Sequence, residues 1–141
     1  EFIVRTEKVI YIDDYAHHPT EIHAFLKSVK AMYPERRLTA IFQPHLFSRT
    51  RDFAEGFSES LSQADEVILM DIYPARELPM EGVTSEIIYK NIGTEKRMAT
   101  KENLMEVLEG MNLEVVVTMG AGDIDQFVNK IKNSITNKYS V

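Results

Sequence analysis

Residues 9–21 read Val9-Ile10-Tyr11-Ile12-Asp13-Asp14-Tyr15-Ala16-His17-His18-Pro19-Thr20-Glu21. The first four form a buried-strand pattern. The next six carry two carboxylates, a phenol and two imidazoles. Pro19 suits the first position of a helix, and Glu21 suits the positive end of that helix's dipole. A strand therefore hands over to a helix across a dense set of polar groups. In open α/β sheets the carboxyl end of a strand is where ligands bind. Polar density of this kind opposes folding unless a site requires it. The stretch reads as one wall of a nucleotide or substrate site.

Working outward, the strand–helix alternation recurs. Phe2-Ile3-Val4 and Val9–Ile12 flank a short polar connection, which predicts a hairpin. Ile22, Phe25, Leu26, Val29 and Met32 form a helical stripe that Pro34 stops. Leu38–Phe42 is a second core strand, and Gln43 to Asp52 reads as a polar loop after it. A helix with Phe53, Phe57 and Leu61 inward follows, with Gly56 as a mild flaw or a close-packing point. Glu66–Asp71 is a third strand whose Val67-Ile68-Leu69-Met70 is apolar without a break, as in a sheet covered on both faces.

Beyond it, Tyr73 to Pro79 is a loop stiffened by two prolines, and Thr84-Ser85-Glu86 caps a short helix carrying Ile87, Ile88 and Ile92. Arg97–Ala99 predicts a short strand, and Lys101–Met111 a helix with Leu104, Val107 and Leu108 inward. Glu114–Met119 is the last strong strand. Ile124, Phe127, Ile131 and Ile135 then mark a terminal helix, with Asn133 to Val141 expected to fray. The alternation is the signature of an α/β fold with a doubly wound, mostly parallel sheet and an antiparallel edge hairpin.

The 141 residues correspond to one domain over 1–141. The abrupt start on an apolar strand suggests a domain of a longer protein. The apolar share of 44% and charged share of 27% are those of a soluble globular chain. No apolar run approaches the roughly 20 residues of a membrane span. No cysteine is present to build a disulfide or thiolate metal site. A cytoplasmic protein is the expectation. The net charge of −6 argues against a broad nucleic-acid surface.

Polar clusters follow the core strands at Asp13–His18, His45–Arg51, Tyr73–Glu77 and Gly120–Asp123. In a parallel sheet all of them share one carboxyl edge. Asp13 and Asp14 serve either the local turn and helix dipole or a ligand, accepting from ribose hydroxyls or holding a cation. His17 and His18 either cap the helix or face a site, and with His23 they lack a familiar zinc spacing. Arg49 and Arg51 stand where a helix begins and could clamp a carboxylate or phosphate. Arg51 also has Asp52 and Glu55 as surface partners. Gly120-Ala121-Gly122 lacks the third glycine of a dinucleotide fingerprint and reads as a tight turn. No Gly-x-x-x-x-Gly-Lys-Ser/Thr occurs, so a phosphate-gripping loop would come from elsewhere.

Taken together, Asp13 to Glu21, Gln43-Pro44-His45 with Ser48 to Asp52, and Tyr73-Pro74-Ala75-Arg76-Glu77 resemble the carboxy-terminal domain of the Mur ligases. The second and third segments are most similar to the branch that adds L-alanine to UDP-N-acetylmuramate. The resemblance implies a Rossmann-like third domain that closes on an amino-terminal UDP-sugar domain and a central ATPase domain. It implies peptidoglycan precursor synthesis with ATP and Mg²⁺, the Mg²⁺ held mainly by the central domain. The muramoyl carboxylate would become an acyl phosphate, which the amine of L-alanine attacks to give an amide, ADP and phosphate.

Residue by residue, the resemblance makes His17 and Arg49 the candidate catalytic residues. It makes Asp14, facing the ribose, and Tyr15 the nucleotide contacts. Tyr15, His17, His45 and Arg49 become the substrate contacts, Asp13 and His18 support them, and no metal ligand is assigned. Leu46 stands where relatives often carry a basic residue. A separate reading is a receiver-like signalling domain using Asp13, Asp14 and Asp71 as its acidic, phospho-accepting group. A lysine after the last strand is missing for that role.

Overall fold

The computed structural model describes residues 1–141 and contains a six-stranded sheet with helices on both faces. The strands are β1 (Phe2–Arg5), β2 (Ile10–Asp14), β3 (Leu38–Phe42), β4 (Glu66–Met70), β5 (Glu95–Ala99) and β6 (Val115–Met119). The helices are α1 (Pro19–Met32), α2 (Phe47–Leu61), α3 (Glu86–Tyr89), α4 (Leu104–Glu109) and α5 (Val128–Tyr139). Strand order is β1-β2-β6-β3-β4-β5. Every neighbouring pair is parallel except β1 with β2, so the predicted doubly wound sheet with its antiparallel edge hairpin is present.

Side chains alternate across a strand, and each face of the sheet buries its own core. Ile10, Ile12, Ala40, Phe42, Leu69 and Val117 pack with α1, α2 and α3 on one face. Tyr11, Ile41, Ile68, Met70 and Val116 pack with α4 and α5 on the other. Double coverage explains why β3, β4 and β6 are buried along their whole length. In α1 the stripe Ile22, Leu26 and Val29 is buried, each such side chain contributing about 1.5–3 kcal/mol.

Gly56 is a close-packing point. A Cβ there would lie 3.2 Å from Pro19 Cβ, and the neighbouring Ser60 hydroxyl donates to the Pro19 carbonyl at 2.9 Å. Helix α1 thereby docks on α2 at the turn that starts the site.

Several expectations change. Helix α2 begins at Phe47, so Ser48 to Asp52 lie in its first turns instead of a loop. Phe53 does not face inward. Its backbone leaves helical values (φ −122°, ψ 19°), which kinks α2, and its ring is 43% exposed, 4.9 Å from the His18 ring. Helix α4 is shorter than predicted, and a 3₁₀ turn at Asp123–Phe127 precedes α5. The carboxy-terminal segment does not fray from Asn133. Ile135 is buried, and Tyr139 accepts the Leu113 N–H through its hydroxyl at 2.6 Å. No helix is long and apolar enough to cross a membrane.

Candidate functional site

Strands β2, β6, β3 and β4 are contiguous and parallel. The polar clusters after them therefore line one carboxyl edge, as the alternation predicted. β6 leads into the α5 face, whereas β2 and β3 on either side lead into the α1–α2 face. Connections that diverge in this way leave a crevice at the strand ends. A cavity of about 240 Å³ opens there, lined by Asp13, Asp14, Tyr15, the Gly120–Gly122 turn and Asp125.

At this cavity Asp14 uses Oδ2 to accept the Ala16 N–H at 2.9 Å, which ties the loop into a local turn. Its Oδ1 has no protein partner. Asp13 serves the sheet: the Thr118 hydroxyl donates to Asp13 Oδ1 at 2.6 Å and is itself 2.9 Å from the Tyr11 hydroxyl. With Thr118 donating to Asp13, Tyr11 donates to Thr118. Burial pushes the Asp13 carboxyl up from its ordinary range, against the Thr118 hydrogen bond, and nearby Asp125 and Asp14 add to the rise. Burial likewise raises the Tyr11 phenol.

Gly120 has φ +140°, a backbone conformation that favours glycine. A Cβ on Gly122 would lie 2.6 Å from Gln43 Oε1 and 2.7 Å from Tyr73 Cβ. The turn is therefore glycine-rich because buried Gln43 and half-buried Tyr73 press on it.

A ladder of aromatic rings crosses the edge from β2 to β4. Tyr15 meets His17 edge-on at 5.1 Å, His17 meets His45 at 6.1 Å, and His45 stacks on Tyr73 at 5.8 Å. Tyr15 is 70% exposed and offers its face outward. His17 Nδ1 is 3.0 Å from the Tyr15 carbonyl, which suits an Nδ1–H tautomer. Glu21 accepts the backbone N–H groups of His17 and His18 at 3.2 and 3.1 Å, closing the start of α1. His18 is the N-cap residue of α1 and packs on Phe53.

Arg49, one turn into α2, places a guanidinium nitrogen 3.4 Å from His45 Nδ1. A guanidinium only donates, so His45 Nδ1 accepts and the ring's proton sits on Nε2. Burial lowers the His45 pKa, and the charges of Arg49 and His17 lower it further, against an opposing pull from Glu77. Glu77 accepts the Ser48 backbone N–H at 3.0 Å and the Ser48 hydroxyl. These bonds cap α2 and hold Glu77 below the usual carboxylate range. Arg51 takes the surface alternative and pairs with Asp52 at 2.9 Å.

The edge thus brings Tyr15, His17, His45 and Arg49 together, with Asp14 opening into the adjacent cavity. It does not bring Asp71 to Asp13 and Asp14. β6 and β3 lie between β2 and β4, a separation of roughly 14 Å at the usual strand spacing. Asp71 lines a different cavity of about 140 Å³ with Tyr73, Lys101 and Asp123, so the receiver-like reading fails. Asp125 lines the cavity and carries no local signature, whereas Tyr73 and Gln43 stand in segments that carry the resemblance without a role assigned to them there. For Gln43 the local clue is a polar side chain directly after the strand Leu38–Phe42 and ahead of Pro44 and His45.

Residues 1–122 match the family described as Mur ligase, glutamate ligase domain. The chain is 51% identical over 140 residues to the UDP-N-acetylmuramate–L-alanine ligase of Cytophaga hutchinsonii, covering 99% of this chain and 30% of that protein. It is 54% identical over 133 residues to the same-named ligase of Flavobacterium johnsoniae, covering 94% of this chain and 30% of that one. The crystal structure of the UDP-N-acetylmuramate-alanine ligase of Thermotoga maritima superposes with a TM-score of 0.73 at 26% identity, over 94% of this chain and 28% of that one. A murein peptide ligase of Psychrobacter arcticus shares the fold with a TM-score of 0.75 at 20% identity, over 97% of this chain and 29% of that one. This chain spans about 30% of the length of the curated relatives it matches. By the match over residues 1–122, the chain belongs to the Mur ligase family as its glutamate ligase domain.

Proposed function

We propose that this chain is the carboxy-terminal domain of an ATP-dependent UDP-N-acetylmuramate–L-alanine ligase. The observation that carries the reading is one sheet edge holding both halves of such a site. Asp14 and the Gly120–Gly122 turn border a cavity on one side, and His17, His45 and Arg49 cluster on the other. The identities of 51% and 54% to ligases of that name support the same assignment.

In this reading Asp14 Oδ1 accepts from a ribose hydroxyl while Oδ2 stays in its own loop. The exposed face of Tyr15 packs on the nucleotide side, with His17 between nucleotide and amino acid. Arg49 holds the alanine carboxylate through charge-assisted hydrogen bonds and offsets charge that develops near it. Neutral His45 keeps a second positive charge away from Arg49. ATP supplies phosphoryl activation of the muramoyl carboxylate, and alanine's amine then forms the amide.

The chain groups no three His, Asp or Glu side chains in a way that could hold a metal ion. The residues here suit the ribose and the amino acid, and Mg²⁺ is assigned to the central domain. The remaining length of the relatives would supply the UDP-sugar and ATPase domains, with closure of this domain excluding water. A reaction consuming ATP and a UDP-sugar belongs in the cytoplasm.

The test is alanine-dependent ADP release by the full-length enzyme with UDP-N-acetylmuramate and ATP. Turnover that depends on L-alanine is expected, and none from residues 1–141 alone. Turnover by the 141-residue chain would sink the three-domain reading.

A further inference from the structure

The Gln43 side chain is 3% exposed and engaged at both ends. Its Nε2 donates to Asp123 Oδ1 at 2.5 Å, and its Oε1 accepts the Ile124 N–H at 2.8 Å. Its backbone carbonyl lies 2.8 Å from where a Cβ on Gly120 would sit, and its Oε1 2.6 Å from one on Gly122. Gln43 therefore presses on both glycines of the turn, its backbone carbonyl on Gly120 and its buried side-chain amide on Gly122, and the amide fastens the residues that follow. Asp123 in turn accepts from Lys101 Nζ at 2.7 Å. Gln43 also donates its backbone N–H to Met119 at 3.2 Å, and Pro44 and His45 follow it directly.

Gln43 lines the separate cavity of about 140 Å³ that Asp71, Lys101 and Asp123 share. Gln43 does not line the cavity beside Asp14, although the turn it supports does. Burying a neutral amide here is sustained because each polar end has a partner, and removing either partner strands a buried group. A turn left to itself would sample other conformations, since glycines impose little on the backbone. The shape of the cavity wall is thus set from behind.

We propose that Gln43 is a positioning residue that fixes the Gly120–Gly122 turn opposite Asp14 and so sets nucleotide affinity without touching the nucleotide. The proposal rests on the nucleotide reading of that cavity, and its test separates the two.

The variant Q43E keeps the shape and the acceptor for Ile124 but sets a carboxylate against Asp123. Adding D123N restores the pair with donor and acceptor exchanged, the new amide donating to the new carboxylate. In the full-length enzyme Q43E should raise KM for ATP roughly tenfold, with kcat changed less than about threefold. Amide exchange across residues 121–124 should quicken with it. The double variant Q43E/D123N should bring both back toward wild type. Unchanged exchange in Q43E, or no recovery in the double variant, overturns the proposal. So does faster exchange with an unmoved KM for ATP, because the turn would then be structural only. Wild-type enzyme without alanine-dependent turnover overturns the ligase reading instead, and equilibrium ATP binding then supplies the same comparison among variants.

Discussion

His45 and Tyr73 lie face to face across the ends of β3 and β4, centroids 5.8 Å apart and planes 13° from parallel. Their backbones are joined as well. Tyr73 donates its N–H to the Pro44 carbonyl at 2.8 Å, and Leu46 donates to the Tyr73 carbonyl at 2.9 Å. The parallel ladder therefore runs past the strand ends and carries the imidazole into the site at a fixed angle. Leu46 adopts φ +73° there, a conformation that a branched side chain rarely takes. The Thr50 hydroxyl, donating to the Leu46 carbonyl at 2.8 Å, helps hold it.

Burial at this position, beside Arg49, favours the neutral form of His45. Burial, Arg49 and His17 together outweigh Glu77 and place its pKa below the ordinary 6.5. Titration of the imidazole by NMR should show a midpoint below that value, and Arg49→Ala should move it back up. The depressed pKa makes the His45 contribution to stability complete above about 6.5 and lost as pH falls through the folded-state value. Wild type should therefore lose stability relative to His45→Asn as pH falls from about 6.5 through the folded-state value. Parallel unfolding curves at both ends of that window would contradict the assignment.

Arg49→Ala should raise KM for L-alanine by roughly 10–100-fold with less effect on KM for ATP. Arg49→Lys should recover only part of the loss, because an ammonium cannot offer the planar fork of a guanidinium. Steady-state kinetics with each substrate varied decides. An unchanged KM for alanine in the Arg49→Ala enzyme removes the residue from its role.

For Asp14 the expected pattern is the reverse. Asp14→Ala should weaken ATP use by roughly tenfold or more while KM for alanine stays near wild type. The same change removes the acceptor for the Ala16 N–H, so Asp14→Asn is the control, retaining an acceptor there. A variant that loses thermal stability but keeps its KM for ATP would make Asp14 a turn residue only.

Asp13 carries a charge that its half-buried position disfavours. Its carboxyl titrates above its ordinary 3.8, with burial the main cause, so the native state binds its proton more tightly than the unfolded chain. Wild-type stability should therefore fall as pH rises from about 3.8 through the folded-state value. Above that range the half-buried charge disfavours the native state. Asp13→Asn keeps an acceptor for Thr118 and should be more stable than wild type at pH 7. The gain should vanish below about pH 4. Melting temperatures at both pH values test it, and equal gains at both would show that the carboxyl charge is not the cause.

The elements themselves were legible because their signals are local. The unbroken apolar run at 9–12 and the stripe at Ile22, Leu26 and Val29 report burial within a few residues of chain. Phe53 misled for the same reason. Its helical spacing from Phe57 and Leu61 is correct, but a kink turns the ring outward onto His18. Arg49 was placed on a loop because Gln43-Pro44-His45 reads as irregular. The Ser48–Glu77 hydrogen bonds that start α2 early span 29 positions and leave no pattern in the chain.

From the sequence alone, this protein was determined as an α/β sheet whose strand ends carry polar clusters, since strand direction and parallel pairing force those clusters onto one edge. Only the tertiary structure decided which clusters meet. β6 enters between β2 and β3, setting Thr118 on Asp13 across 105 positions and Asp123 on Gln43 across 80. Strand order follows from how crossovers pack over the whole sheet. Contacts at such separations obey no period that a chain can display.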